Sequence, residues 1–562
     1  MQTPSETIQM RNRVLCERTK KLGDQVYSDG MRLVVRPNVD AKKADRWGFD
    51  VVQSSAWYAV ALARWCADHP EDCDRERTRL NDIIQRMCEK QDRDSDSATY
   101  GNIIWYWSWT NVRDRNGVSF WSPETGYIFT HHRELLSDET QRILADTLTL
   151  CIEGLNRHRP RWQYTNIFLL NILSRLTLAK ALEREDLLIQ AETDWKTWFT
   201  ETDMGGLTEY NSPTYIVTAL APLARMLPLC RNEKMQSQIE TALGSLYADF
   251  SWHYHPALHL LAGATSRSYS GDWLNNSLSN LIAYQQFNAP YEATNLVGPF
   301  VALSDYEAPE ECIQRATESK SGITIRASIP DNHIQRITHF GEKYALGVKS
   351  GPSYGPQELA LTLAYPGEHQ RMVTLSHKPE TRAPVYSEML NGRLLAGIIY
   401  RDPPEIEGSP HNWSRIIFGP PDHFKTITVN GREWDGDYCA ITHDTTVTFQ
   451  TLDICSSFRF GLFGLSDDEP QVTSYLWYQY ENNLVALELV TWSPSIVAIG
   501  VCVSEDGPAD LPDPIVFGNG RLSAGGITVV VPDSDDLPLP DTLPLLDTPT
   551  VKWHRGDWAS SG

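Results

Sequence analysis

The string Glu209-Tyr210-Asn211-Ser212-Pro213-Thr214-Tyr215 sets a carboxylate, two phenols, an amide and two hydroxyls side by side. Ser212 before Pro213 is a cap and first-turn pair, so the string reads as a loop that ends where a helix begins. Further along, Trp252-His253-Tyr254-His255 precedes Ala262-Gly263-Ala264-Thr265-Ser266-Arg267-Ser268-Tyr269-Ser270-Gly271-Asp272. Small residues there let a ligand approach the backbone. An Arg two positions from a Tyr favours phenolate, which turns an inert side chain into a usable base. A third segment, Asn156-Arg157-His158-Arg159-Pro160-Arg161-Trp162-Gln163-Tyr164-Thr165-Asn166, concentrates guanidinium groups such as Arg161, whose planar fork matches a carboxylate. A fourth, Trp105-Tyr106-Trp107-Ser108-Trp109, followed by Phe120 and Trp121, offers aromatic faces on which sugar rings stack. Each has a plainer reading alone: a decorated helix start, a satisfied core His255, a surface ion-pair partner in Arg267, core packing for any single Trp. Their conjunction, rather than any one of them, is what marks a candidate site.

The rest of the composition limits the partners. The chain has 562 residues, with 50 Lys and Arg against 72 Asp and Glu, a net charge of −22. That field repels nucleic acid and anionic lipid, and it disfavours an anionic carbohydrate unless a local basic cleft overrides it. The Arg157 to Arg161 cluster meets that condition. No window approaches the roughly 20 apolar residues of a membrane helix, and Met1 to Arg13 lacks the apolar core of a signal peptide. A cytoplasmic protein is therefore expected, with no membrane partner. The ten cysteines are scattered without a CxxC pair, which fits reduced, buried thiols.

Positioning such residues needs two kinds of element. Between residues 50 and 300 apolar positions recur at helical spacing, clearest over Val51 to Cys66, Arg77 to Lys90, Asp138 to Leu155, Thr165 to Glu183, Ile189 to Phe199, Pro213 to Leu227, Met235 to Tyr254 and Leu274 to Gln286. Helical hairpins in such number bury an apolar face on every helix when they close into a ring. Beyond Lys320 the pattern becomes short β-branched and aromatic runs, among them Gly322 to Ile329, Tyr344 to Lys349, Leu394 to Tyr400 and Leu484 to Trp492. Asn430-Gly431 and Asn519-Gly520 favour tight hairpin turns. The predicted fold is α+β and multidomain: an N-terminal (α/α) toroid over 1–310, then an antiparallel β-sandwich over 311–562. The Pro-rich and Asp-rich tail from Pro532 to Pro549 is expected to run extended over the surface.

A helical toroid, a β-sandwich, an Asn-bearing helix start, a following His and an Arg-x-Tyr loop resemble the polysaccharide lyases of the alginate, chondroitin and heparinase II/III type. The resemblance implies that Asn211, His255, Arg267 and Tyr269 act together on a uronic acid, with Tyr215 as a second phenol. Asn166 looks like the Asn some of these families place on an inner helix. Glu209, His253, Arg161 and the Trp105, Trp107 and Trp109 rim are the expected substrate contacts. The implied reaction is β-elimination on an acidic glycan or a small carboxylate-bearing substrate, without a metal or other cofactor. His339 and His377, the obvious histidines of the second half, lack a metal-ligand spacing. Three alternatives stay open. They are elimination or cyclisation of a small intracellular metabolite, a toroid glycoside hydrolase with Glu209 as acid, and a carbohydrate-binding protein without catalysis.

Overall fold

The computed structural model describes residues 5–35, 48–205, 207, 209–268, 278–291, 294–329, 334–352, 358–367, 372–377, 383–401, 412–465, 472–479, 483–532 and 550–552. The chain forms two compact units that interleave. Unit 1 comprises Met1–Thr202, Tyr215–Tyr247 and Leu278–Ile313; unit 2 comprises Asp203–Thr214, Ala248–Ser277 and Gln314–Gly562.

Unit 1 is a ring of helices. Glu6–Val26 packs on Ser54–Asp68, Ser54–Asp68 on Gly117–His131, Gly117–His131 on Thr165–Leu182, Thr165–Leu182 on Tyr215–Met226 and Tyr215–Met226 on Ser279–Phe287, which returns to Glu6–Val26. Asp74–Cys88 and Asp138–Arg157 lie outside the ring against these helices and against each other. The division follows composition. Thr165–Leu182 is apolar on almost every side and buries nearly all of its residues, as an inner helix must. Asp74–Cys88 instead buries Leu80, Ile83, Ile84 and Met87 at helical spacing and turns its charges outward, except Glu76, which is buried against Lys20. Four of the described helices are absent from the apolar pattern of the sequence, the short Gly298–Ala302 and Glu310–Thr317 among them. Glu6–Val26 is polar on average, and Gly117–His131 is buried all round and carries Pro123 and Gly126.

Unit 2 is a sandwich. A seven-stranded and a ten-stranded sheet share one core, to which the former contributes Leu394, Phe458 and Val497 and the latter Leu346, Leu361 and Leu375. The ten-stranded sheet contains a meander in which Thr324–Ile329, Ile334–Phe340, Ala345–Ser350, Leu361–Ala364 and Met372–His377 pair consecutively and antiparallel. Thr550–Lys552 adds a parallel edge beside Thr324–Ile329. Asn430 and Gly431 both take positive φ between paired Val429 and Arg432, and Asn519 and Gly520 do the same between Gly518 and Arg521, as tight hairpins require. Residues 533–549 of the tail lie outside the described residues.

Because side chains alternate along a strand, the face of the meander opposite the core carries Arg336 and Thr338, Gly347 and Lys349, Thr362 and Thr374, in register across four strands. All six are buried. What covers part of this polar face is the loop 262–268 of the same unit: a Cβ on Gly347 would come within 2.4 Å of the Gly263 Cα.

Candidate active site

Within unit 2 the structure brings Glu209, Asn211, His253 and Arg267 together. Asn211 adopts a left-handed φ of 45°, a conformation Asn tolerates better than most residues. Its Nδ2 donates to the carbonyls of Ala262 at 2.8 Å and Ala264 at 3.0 Å, straddling Gly263. Both amide protons are thereby used. Gly263 has a φ of 100°, and a Cβ there would meet Thr338 Oγ1 at 2.5 Å, Asn211 Nδ2 at 3.1 Å and His253 Cδ2 at 3.4 Å. Only glycine fits that crossing.

The two loops are bound at several further points. Ser212 Oγ donates to the Arg267 carbonyl at 2.5 Å and Thr265 Oγ1 to the same oxygen at 3.1 Å. The Ser266 hydroxyl donates to the Tyr210 carbonyl at 3.1 Å, and Thr265 pairs with Leu359 as an isolated bridge. Ser212 thus reaches across to the second loop, and the following helix starts at Tyr215. Arg267 Nη1 donates to Glu209 Oε1 at 2.5 Å, with the Arg side chain 18% exposed and the Glu side chain 3%.

Beneath these loops runs a chain of buried charges. The Tyr210 hydroxyl donates to Glu358 Oε1 at 2.9 Å, and Lys349 Nζ lies 2.6 Å from the same carboxylate oxygen, both charged side chains being fully buried. Burial pushes the Lys349 amine below its ordinary pKa, against the pull of Glu358. The Arg336 guanidinium lies over the Tyr210 ring, 5.2 Å from its centroid, and donates from Nη2 to Asp249 Oδ1 at 3.0 Å. His253 Nδ1 faces the Asp249 main-chain oxygen at 2.9 Å and its Oδ1 at 3.3 Å. With two acceptors against it, that nitrogen carries the ring proton. Burial raises the Asp249 carboxyl, but Arg336 and His253 outweigh it and hold the group well below the usual carboxylate range. The sequence carries a usable signal for part of this network: Lys349 is a cation at the end of the apolar run Ala345 to Val348.

His255 sits on the short hairpin Tyr254–His255 with Leu260–Leu261 and has partners of its own. Its Nδ1 accepts from the Leu258 N–H at 3.3 Å, which leaves Nε2 to donate to the Gly341 carbonyl, also at 3.3 Å. Burial pushes its pKa down to about 4, so the ring is neutral near pH 7 and both nitrogens are engaged. Tyr269 lies outside the described residues.

The other expected site residues belong to unit 1. Tyr215 is the first residue of Tyr215–Met226 and Asn166 the second of Thr165–Leu182, so both stand at N-terminal ends of inner helices. Arg161 is exposed in the turn ahead of Thr165. The Asn116 Nδ2 donates to the Tyr164 hydroxyl at 3.1 Å, and its Oδ1 meets His158 Nε2 at 3.0 Å, which ties that turn to the start of Gly117–His131. Trp105 packs edge-on against Phe120 of the same helix. Trp107 meets the Arg86 guanidinium 3.6 Å from its ring centroid and Lys90 Nζ at 4.5 Å, and Trp109 packs on Tyr106. No group of three or more His, Cys, Asp or Glu among the described residues is arranged to hold a metal ion. No helix among them is long and apolar enough to cross a membrane.

Residues 15–289 match a family model described as a domain of unknown function, DUF8769. No curated protein matches the chain. Among solved structures, heparinase III is similar at 9% identity, with 94% of this chain and 90% of that chain covered and a TM-score of 0.47. A Streptomyces coelicolor A3 chondroitin AC lyase in complex with chondroitin sulphate is similar at 8% identity over 88% of this chain and 79% of that chain, with a TM-score of 0.43. An endoglucanase from Clostridium thermocellum complexed with cellotetraose is similar at 8% identity over 88% and 93%, with a TM-score of 0.27.

Proposed function

We propose that this chain is a carbon–oxygen lyase that breaks down a uronate, as part of an acidic glycan or as a small carboxylate-bearing substrate, by β-elimination. The observation that supports this reading is the presentation of Arg267. Two hydroxyls anchor its carbonyl, Glu209 holds one end of its guanidinium, and the side chain stays partly exposed. Arg has five N–H donors, enough to hold Glu209 and a substrate carboxylate together.

In the reaction the C5–H bond breaks, a C4=C5 double bond forms, and the C4–O bond breaks as the leaving oxygen takes a proton. The C5 proton is too weakly acidic while the neighbouring carboxylate keeps its full charge. Arg267 disperses that charge and stabilises the enolate as it forms. Asn211 spends its amide protons on Ala262 and Ala264, so its part is to shape the loop that carries Arg267. His255, neutral and bonded at both nitrogens, supports the hairpin ahead of that loop. The base is then a phenol: Tyr269, two residues past Arg267 in sequence, or Tyr215. A phenol also protonates the leaving C4 oxygen.

Incubation with a panel of polyuronates and small uronates, read by ultraviolet absorbance of the unsaturated product, tests the reading. In Tyr269→Phe turnover is expected to fall by about 10² to 10⁴ with KM little changed. Full activity there with loss in Tyr215→Phe transfers the role. Release of reducing ends without absorbance would mean hydrolysis and would sink the proposal.

A further inference from the structure

The ring of unit 1 has two mouths, and the one at the C-terminal ends of its helices contains a cavity of about 220 Å³. Its lining runs from mid-helix positions such as Pro123 and Leu173 to the last turns of Gly117–His131, Thr165–Leu182 and Tyr215–Met226, with Arg64 of Ser54–Asp68, and is closed by Ala302, Leu303 and Asp305. Asn166 and Lys180 lie on one helix, fourteen residues apart, so at about 1.5 Å per residue roughly 21 Å of helix separates Asn166 from this mouth.

Two of its cations, Lys180 and Arg225, stand in last turns, where positive charge offsets the carbonyl ends. Arg225 is also paired with buried Glu124 at 2.6 Å. Arg64 stands a turn further in, where that account does not reach. Its Nη1 donates to the Tyr127 hydroxyl at 3.3 Å, and no carboxylate among the described residues makes an ion pair with it. Lys180 likewise has no ion-pair or hydrogen-bond partner among them. In a chain of net charge −22, two cations on one cavity with no ion-pair partner among the described residues are conspicuous. They also act on their neighbours: burial first, then Lys180 and Arg64, lower the His131 pKa, and burial with Arg64 pushes His132 down to about 4.

We propose that this mouth binds a small hydroxylated anion, with Arg64 and Lys180 holding its charged group. The cavity lies below the roughly 300 to 1,000 Å³ of drug-sized sites, so it suits one sugar-sized unit rather than an oligosaccharide. Asp305 also lines the cavity, one carboxylate oxygen accepting from Asn12 Nδ2 at 3.1 Å, and its charge would oppose a bare inorganic anion. A ligand with hydroxyls can donate to Asp305 while Arg64 and Lys180 take its charge; Tyr127 and Thr130, whose hydroxyls meet Arg64 Nη1 and the Gly126 carbonyl, complete the polar lining. The anionic group is a carboxylate or a phosphate, as in a sugar acid or a sugar phosphate.

Thermal unfolding of the full chain, titrated with glucuronate in one arm and glucose 6-phosphate in another against sodium chloride at matched ionic strength, tests this. A saturable rise in Tm with either anion supports the site and identifies its charged group. In Lys180→Met, where the lost side chain is exposed and folding is not at risk, the apparent affinity is expected to fall at least ten-fold, and in Arg64→Gln further still. No saturable rise with either anion overturns the proposal, as does an unchanged rise in both variants. Loss of the rise in Arg267→Gln instead would place binding at the elimination site and also overturn it.

Discussion

Lys349 and Lys180 are the same side chain in opposite circumstances. Lys349 is fully buried in unit 2, with its ammonium against Glu358 and the Pro352 carbonyl. Lys180 stands exposed at the mouth of unit 1 with no partner among the described residues. The contrast extends to their surroundings. Around Lys349, Tyr210, Glu358, Arg336, Asp249 and His253 engage one another, and Asn211 gives both amide protons to backbone carbonyls. Such groups hold loops in place, because each bond that would be offered to a ligand would first have to be taken from a neighbour. Groups with spare donors, such as Lys180, are the ones that can bind.

The comparison can be broken by making the same substitution twice. Lys349→Met takes the cation away from the buried Glu358 carboxylate, and removing one partner of a buried pair destabilises by about 3–5 kcal/mol. Lys180→Met removes an exposed, unpaired ammonium and should stay within about 0.5 kcal/mol of the parent. Urea denaturation of the two variants measures both. Equal losses would mean that the mouth of the ring depends on its cation for folding, and the distinction drawn between the two lysines would fail.

Acid should find a weak point in each unit. His255 in unit 2 and His158 in unit 1 both have pKa values pushed down to about 4, chiefly by burial, from an ordinary value of 6.5. Between those values the unfolded chain binds the proton and the folded one does not. The stability associated with each neutral ring is therefore complete above about pH 6.5 and is lost as pH falls toward 4. For His255 the loss is up to about 3 kcal/mol at about 1.4 kcal/mol per pKa unit. His255→Asn should flatten the fall in stability across that window while lowering stability at pH 7. A profile that keeps its full slope would show that His255 does not carry the acid sensitivity of the hairpin. Asp249, with its lowered pKa, contributes in the same direction, but only below the ordinary carboxylate range.

The sequence makes the change from helix to strand legible because the apolar period changes there, and the Asn-Gly turns because only certain residues accept positive φ at both positions. Gly117–His131 escapes because Pro123 and Gly126 inside it read as helix breakers. The grouping of Glu209, Asn211 and Arg267 is legible from the density of polar types in two loops. Their roles are less so, since the residues that use them up come from elsewhere in the chain. Tyr210 and Glu358 are 148 positions apart, and the acceptors for the Asn211 amide are main-chain carbonyls, which no side-chain pattern reveals. Ser212 shows the same limit: its type suits a helix cap, but in the fold its hydroxyl donates to the Arg267 carbonyl.

The smallest effect expected concerns the aromatic rim, and it sharpens the same distinction between engaged and available groups. Of the three tryptophans, Trp107 carries the closest cation, the Arg86 guanidinium 3.6 Å from its centroid, with Lys90 Nζ at 4.5 Å. Arg86 is itself held at 2.6 Å by Glu89, and Lys90 donates to the Trp109 carbonyl at 2.9 Å, so both cations are fixed from their far sides. A ring face covered in this way is not open to a sugar. Trp107→Ala should therefore lower stability by about 0.5–1 kcal/mol, the worth of a partly exposed cation–π contact, and leave KM for any uronate substrate unchanged. A rise in KM with stability intact would show that a sugar displaces Arg86 from the ring, and would move Trp107 from the engaged groups to the available ones.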